Sequence, residues 1–135
     1  MWAQTSLLSF NHALTGQDRA YEQITDVPPL TIPTVGGLWS VSYHVRPSIS
    51  VPTTAQLWVT TALFKNGQLL AGTEALSGIE NSDAVVQDTI GQTFLHTFAV
   101  GDVLTLHAYR IGQAGSAAII SNGDGRTTIA AHWVR

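Results

Sequence analysis

From Gly37 to Arg46 the side chains alternate with a period of two: Trp39, Val41, Tyr43 and Val45 fall on one side, Ser40, Ser42, His44 and Arg46 on the other. Successive Cβ atoms of an extended chain point to opposite faces, so this pattern commits the segment to a half-buried β-strand. QLWVTTALFKNGQLLAG gives a second long strand, an Asn66-Gly67 pair of the kind that favours a tight hairpin, and a returning strand. GQTFLHTFAVGDVLTLHAYRIG repeats the device with Gly101-Asp102 between two β-rich runs, and SNGDGR leads into a last strand, TTIAAHWVR. β-branched and aromatic residues dominate every periodic run, and no segment carries a sustained helical period with caps. The expected class is all-β, with roughly eight to ten strands.

The chain divides by its punctuation. All five prolines (Pro28, Pro29, Pro33, Pro47, Pro52) precede residue 53, whereas nine of the twelve glycines lie at or after Gly67. The run VPPLTIP lacks backbone donors and fixes φ, which suits edge or irregular extended chain. Residues 1–35 therefore read as an N-terminal arm with edge strands, and residues 36–135 as the main body of a single domain. QLWVTTALF is apolar on both faces, with Leu57, Val59 and Leu63 on one side and Trp58, Ala62 and Phe64 on the other. Such a strand needs a cover on its outer face, most economically another subunit.

Composition sharpens this. Charged residues make up 11% of the 135-residue chain against 44% hydrophobic, which excludes disorder and argues for subunit contacts over part of the exterior. A net charge of -3, one lysine (Lys65) and five scattered arginines argue against nucleic-acid binding. Without cysteine there are no disulfides or thiolate sites. No apolar run reaches the roughly 18 residues of a membrane helix or has the form of a secretion signal, so synthesis in a cytoplasm and no membrane insertion are expected.

Four pieces occur in order: GLWSVSYHV, LFKNGQLL, FAVGDVLTLHAY and the closing TTIAAHWV. Together they resemble the jelly-roll heads of the tumour necrosis factor and first-complement-component superfamily, whose last strand runs through the centre of a tight threefold trimer. The resemblance covers about residues 37 to 135 and implies a β-sandwich jelly roll that forms a homotrimer. It implies a core of Trp39, Val41, Tyr43, Leu104, Leu106 and Ala108. It also implies an axial surface of Leu38, Ser40, Ser42, His44, Thr105, His107 and Tyr109, with Ile129, Ala131 and Trp133 from the last strand. His132 and Arg135 depart from the apolar residues usual in that strand.

The sequence shows little that could carry catalysis. The five histidines (His12, His44, His96, His107, His132) have no metal-ligand spacing, and only threefold repetition of an axial His44 or His107 would gather three imidazoles. SNGDGR lacks the spaced carboxylates of a calcium loop and reads as a glycine turn. Neither G-x-S-x-G nor a glycine-rich phosphate cradle is present. Glu80, Asp83 and Asp88 read as solvated loop charge. The expectation is a protein without catalysis, cofactor or metal.

By analogy with compact trimers that carry no stalk, the expected role is a bacteriophage structural accessory: a capsid decoration protein in the virion. It would dock onto a capsid or tail protein through an arm presenting Trp2, Leu7, Leu8 and Phe10, and removal of about the first twenty residues would leave the head folded. The alternative is a receptor- or glycan-binding head of a fibre or tail tip, working through loops around residues 77 to 92 and 112 to 126.

Overall fold

A computed structural model of the chain describes residues 1–80 and 84–135, and Asp83 lies outside them. Among the described residues there is no helix, so none is long and apolar enough to cross a membrane. The chain forms thirteen strand segments: β1 (Trp2–Gln4), β2 (Ser9–Ala13), β3 (Glu22–Gln23), β4 (Leu30–Thr31), β5 (Gly37–Ser50), β6 (Gln56–Lys65), β7 (Gln68–Leu69), β8 (Ala75–Glu80), β9 (Val85–Gln87), β10 (Ile90–Phe98), β11 (Val103–Ile111), β12 (Ser116–Asn122) and β13 (Thr128–Trp133). These segments make two sheets. In one, β5 is flanked by β12 and β13 on one edge and by β9 and β10 on the other, with β2 and β1 outside β12 and β13. In the other, β6 lies between β11 and the pair β7 and β8, with β3 and β4 outside β11. Segments that succeed one another on one edge form a single interrupted line, so each sheet has four lines and the whole is an eight-line jelly roll.

Register explains the core. Trp39, Val41, Tyr43, Val45 and Ile49 of β5 face inward, against Leu57, Val59 and Leu63 of β6 and Leu104, Leu106 and Ala108 of β11, all buried. The alternation read from Gly37 onward and along β11 thus points the expected residues into the sandwich. Two aromatic core residues bring polar atoms that are satisfied by hydrogen bonds. Trp39 Nε1 donates to Val35 O at 3.2 Å. The Tyr43 hydroxyl donates to Thr73 O and lies 3.2 Å from Thr61 Oγ1. Burial pushes its pKa up to about 12, so it remains a donor across the physiological range. Pro47 is tolerated inside the longest strand because the β9/β10 line is interrupted there, with β9 ending opposite Ser48 and β10 beginning opposite Val45.

The turns behave unequally. Asn66 (φ 51°) and Gly67 (φ 82°) take the paired left-handed conformation of a tight hairpin between β6 and β7, as the sequence implies. Gly101-Asp102, the other expected hairpin, instead carries the chain from one sheet to the other, since β10 pairs with β5 and β11 with β6. The Asp102 carboxylate holds that crossover by accepting from the Ala99 N–H and Asn66 Nδ2, each at 2.9 Å, and the Asn66 bond holds its pKa below the usual carboxylate value.

Residues 1–35 are woven into both sheets. β1 and β2 complete the β5 sheet, β3 and β4 complete the β6 sheet, and Leu14, Ile24, Val27, Leu30 and Ile32 are core residues. Removal of the first twenty residues would strip β1, β2 and the fully buried Leu14, which corrects the expectation of a dispensable arm. Two polar clasps fasten this region. His12 of β2 stands between Asp26 Oδ1 (2.7 Å from Nδ1) and Glu22 Oε2 (3.4 Å from Nε2), joining one sheet to the other. The buried Arg110 guanidinium donates to Leu14 O at 3.1 Å and Gly112 O at 2.8 Å.

Candidate functional site

With one face of each sheet turned inward, two outer faces remain. On the β5 sheet, residues paired across the strands share a face. Leu38, Ser40, Ser42 and His44 of β5 therefore lie beside Thr97, Leu95, Thr93 and Gly91 of β10, and beside His132, Ala130 and Thr128 of β13. Trp2 and Gln4 extend this face through β1, with the Trp2 ring stacked 6.2 Å from that of His132. The surface is made mostly of Ser, Thr, Ala and Gly, with a hollow of about 220 Å³ toward one end lined in part by His44, Thr89, Gly91 and Thr93. Among its described residues the only formal charge is Arg46, at one end, where the guanidinium donates to Thr89 Oγ1. Trp2 and Leu95 are each 61% exposed on it.

The outer face of the β6 sheet is built differently. Thr105, His107, Tyr109 and Ile111 of β11 stand opposite Phe64, Ala62, Thr60 and Trp58 of β6, and Leu76 and Gly78 of β8 continue the rows. Phe64 stacks on His107 with ring centroids 3.8 Å apart, and Tyr21 packs edge-on against both Tyr109 (4.6 Å) and Phe64 (5.2 Å). The cover that QLWVTTALF required is thus partly supplied within the chain, by Tyr21 from the N-terminal region. His107 Nε2 lies 2.9 Å from Thr105 Oγ1, and burial holds the imidazole below its ordinary pKa. Glu74 Oε1 accepts from the Tyr21 hydroxyl at 2.8 Å, and burial together with that carboxylate raises the phenol's pKa.

The residues expected at a trimer axis are divided by this geometry. Leu38 and His44 lie on the outer face of the β5 sheet, whereas His107 and Tyr109 lie on that of the β6 sheet, on the opposite side of the sandwich. One threefold axis cannot be lined by both pairs. Ile129 and Ala131 are core residues, 1% and 0% exposed, because they pair with the inward Tyr43 and Val41. Their expected axial position is corrected by one residue of register, and the outward set of β13 is Thr128, Ala130 and His132. Trp133 shares the inward parity of Ile129 but sits at the sheet end, 40% exposed. Of the expected docking residues, Trp2 and Leu7 are exposed, while Leu8 and Phe10 pack against the core.

The remaining polar groups are structural in their contacts. The carboxylates around His12 approach opposite ring nitrogens, so they do not converge on a point where a metal could sit. Among the described residues no three His, Asp or Glu side chains are grouped to hold an ion. Lys65 Nζ donates to His96 Nε2 at 3.1 Å, and burial, then the lysine charge, holds the imidazole below its ordinary pKa. In SNGDGR, Asp124 accepts from the Arg126 side chain two residues on. The stretches expected as recognition loops hold strands as well as loops: 77–92, of which 81–83 lie outside the described residues, takes in β9, the end of β8 and the start of β10, and 112–126 takes in β12 with loop on either side. The sequence reading missed a hollow lined in part by Arg19, Thr60, Glu74, Leu76 and Tyr109, which come from four separate stretches of the chain and carry no shared motif.

No protein-family model matches the chain, and no curated protein matches it. Among solved structures it is similar to Eiger TNF from S. frugiperda, with a TM-score of 0.58 and 7% sequence identity, over 100% of this chain and 92% of that one. At this identity the likeness shows the fold alone: an all-β sandwich of tumour necrosis factor type.

Proposed function

We propose that this tumour necrosis factor-like sandwich works by assembly and not by turnover, as a homotrimer packed through the outer face of its β5 sheet. The observation that carries the reading is the character of that face. Leu38, Ser40, Ser42, Thr93, Leu95, Ala130 and Thr128 form a surface of mostly small side chains with a single formal charge among its described residues, so burial there desolvates few ions. Small side chains let two backbones approach closely, and the exposed Leu95 and Trp2 supply apolar area that gains free energy when covered, about 25 cal/mol per Å². The resemblance in strand order points to the same sheet, because the last strand, β13, lies within it.

Under this reading His44 and His132 belong to the subunit interface, and His107 and Tyr109 stay on the exterior. The particle role is part of the same proposal: a virion accessory whose exposed Leu7 meets a capsid or tail protein. Sedimentation at micromolar concentration tests the assembly first, with three times the chain mass expected and a stable single chain ending the reading. Replacing Leu7 by serine then separates the roles. Loss of particle attachment by an intact trimer supports docking, and attachment retained argues for a binding head.

A further inference from the structure

We propose that the hollow on the outer face of the β6 sheet binds one neutral sugar residue of a glycan. The hollow follows from side-chain size. Along the outward row of β6, Thr60 and Ala62 are small residues between the large Trp58 and Phe64. Tyr21 occupies the gap between Phe64 and Tyr109, which leaves a cavity of about 300 Å³ lined by Thr60, Tyr109, Ile111 and Leu76, with Arg19 and Glu74 beside them.

The chemistry of that lining selects the ligand. A sugar ring offers C–H groups to an aromatic or aliphatic wall and hydroxyls to planar polar groups at its edge, and Tyr109 with Leu76 forms the first while Arg19 and Glu74 form the second. A guanidinium donates in pairs, which matches adjacent hydroxyl groups, and a carboxylate oxygen accepts from a further one. The ion pairs among the described residues involve neither Arg19 nor Glu74, and Glu74 Oε2, the oxygen that does not accept from Tyr21, can take a ligand hydroxyl. One positive and one negative group at the same hollow disfavour an anion such as phosphate and a cation alike, and leave a neutral polyhydroxyl compound as the best complement.

Glu74 is held in place from two sides: its Oε1 accepts from the Tyr21 hydroxyl, and its backbone carbonyl accepts from Gln92 Nε2 at 2.8 Å. Arg19 has a left-handed backbone, φ 63°, and its N–H donates to Arg110 O at 3.1 Å. Assembly through the β5 sheet would leave this face free in every subunit, so weak single sites would act together on a polymer or a cell surface. The site does not depend on that assembly, since a single chain contains all of its residues.

Saturation-transfer NMR with the methyl glycosides of glucose, galactose and N-acetylglucosamine, alongside a printed array of neutral glycans, tests the proposal. Saturable binding is expected with at least one of them. Arg19→Gly and Glu74→Gln should each weaken it about tenfold, the worth of one good hydrogen bond to a charged group. Arg19→Gly should leave thermal unfolding intact, because glycine accepts the left-handed backbone that arginine adopts only under constraint. No binding to any member of the panel, binding that survives both substitutions, or a preference for anionic glycans overturns the proposal. The sedimentation result is read separately, so failure of the trimer and failure of the sugar site are distinguishable.

Discussion

The two outer faces of the sandwich answer one problem in opposite ways. The β6 sheet carries large side chains outward and covers them partly from within the chain, by laying Tyr21 between Phe64 and Tyr109. The β5 sheet carries mostly small side chains outward with no aromatic cover like Tyr21 among the described residues, leaving Ser, Thr and Ala beside the exposed Trp2 and Leu95. A face that supplies its own cover is shaped for a small ligand or for solvent. A nearly uncharged face of small side chains without cover is suited to another protein surface. The contrast teaches that outward hydrophobicity alone does not identify the interface, because the more aromatic face is the one that has already found partners.

Two glycines give the largest test of this contrast. A Cβ at Gly91, on the β5 face, would lie 1.8 Å from the backbone oxygen of Tyr43, and one at Gly78, on the β6 face, would lie 2.0 Å from the Trp58 ring. Backbone in a paired strand cannot move aside without breaking the ladder, whereas an indole at the surface can rotate away. Gly91→Ala should therefore cost about 3 kcal/mol or more and Gly78→Ala about 1–2 kcal/mol, read by chemical denaturation. The reverse order would mean that the aromatic face is the more rigid of the two.

Arginine placed on each face in turn sharpens the assignment of roles. Ser42→Arg introduces a bulky charge at the middle of the β5 face and should weaken self-association about 100-fold, near 3 kcal/mol, with circular dichroism unchanged. Thr60→Arg on the β6 face should leave the sedimenting mass as it was. If Thr60→Arg dissociates the assembly and Ser42→Arg does not, the two faces exchange roles.

Acid should produce the smallest effect. His107 on the β6 face and His96 on β10 both have folded pKa values below the ordinary 6.5, chiefly because burial disfavours the charged ring. Stability is then full above about pH 6.5 and declines as the pH falls toward and through the depressed folded values, since the unfolded chain takes up protons first. The thermal midpoint should fall modestly between pH 7.5 and pH 5. His107→Gln should flatten part of that fall while leaving the contribution of His96. A midpoint that rises on acidification would contradict the burial of both rings.

Much of this architecture was legible before any coordinate. The alternation from Trp39 to Val45 named the inward residues of β5, the run from Leu104 to Ala108 did the same for β11, and Asn66-Gly67 marked a true hairpin. Other parts misled for identifiable reasons. Gly101-Asp102 has the local chemistry of a turn, but a turn residue does not say whether the next strand pairs with the last one or crosses to the other sheet. Ile129 and Ala131 were expected outward although apolar, because their strand was placed by resemblance; its register against Tyr43 and Val41 turns them into the core. The Pro-rich region looked detachable because its strands are two to five residues long, too short to show a period, yet those strands complete both sheets.

What the sequence determined by itself is which side chains of one strand share a face, since that follows from the geometry of an extended chain and needs no partner. What only the tertiary structure decided is which strands lie side by side, and so which outer face each of those sets helps to build. His44 and His107 look equivalent in sequence, each outward on a strand with a well-marked core side. Pairing across long sequence separation, Thr128 opposite His44 and Ala62 opposite His107, places them on opposite sides of the molecule. The physical reason is that strand pairing is a contact between distant segments, selected by the fit of the whole core and not by the residues at the pairing edge.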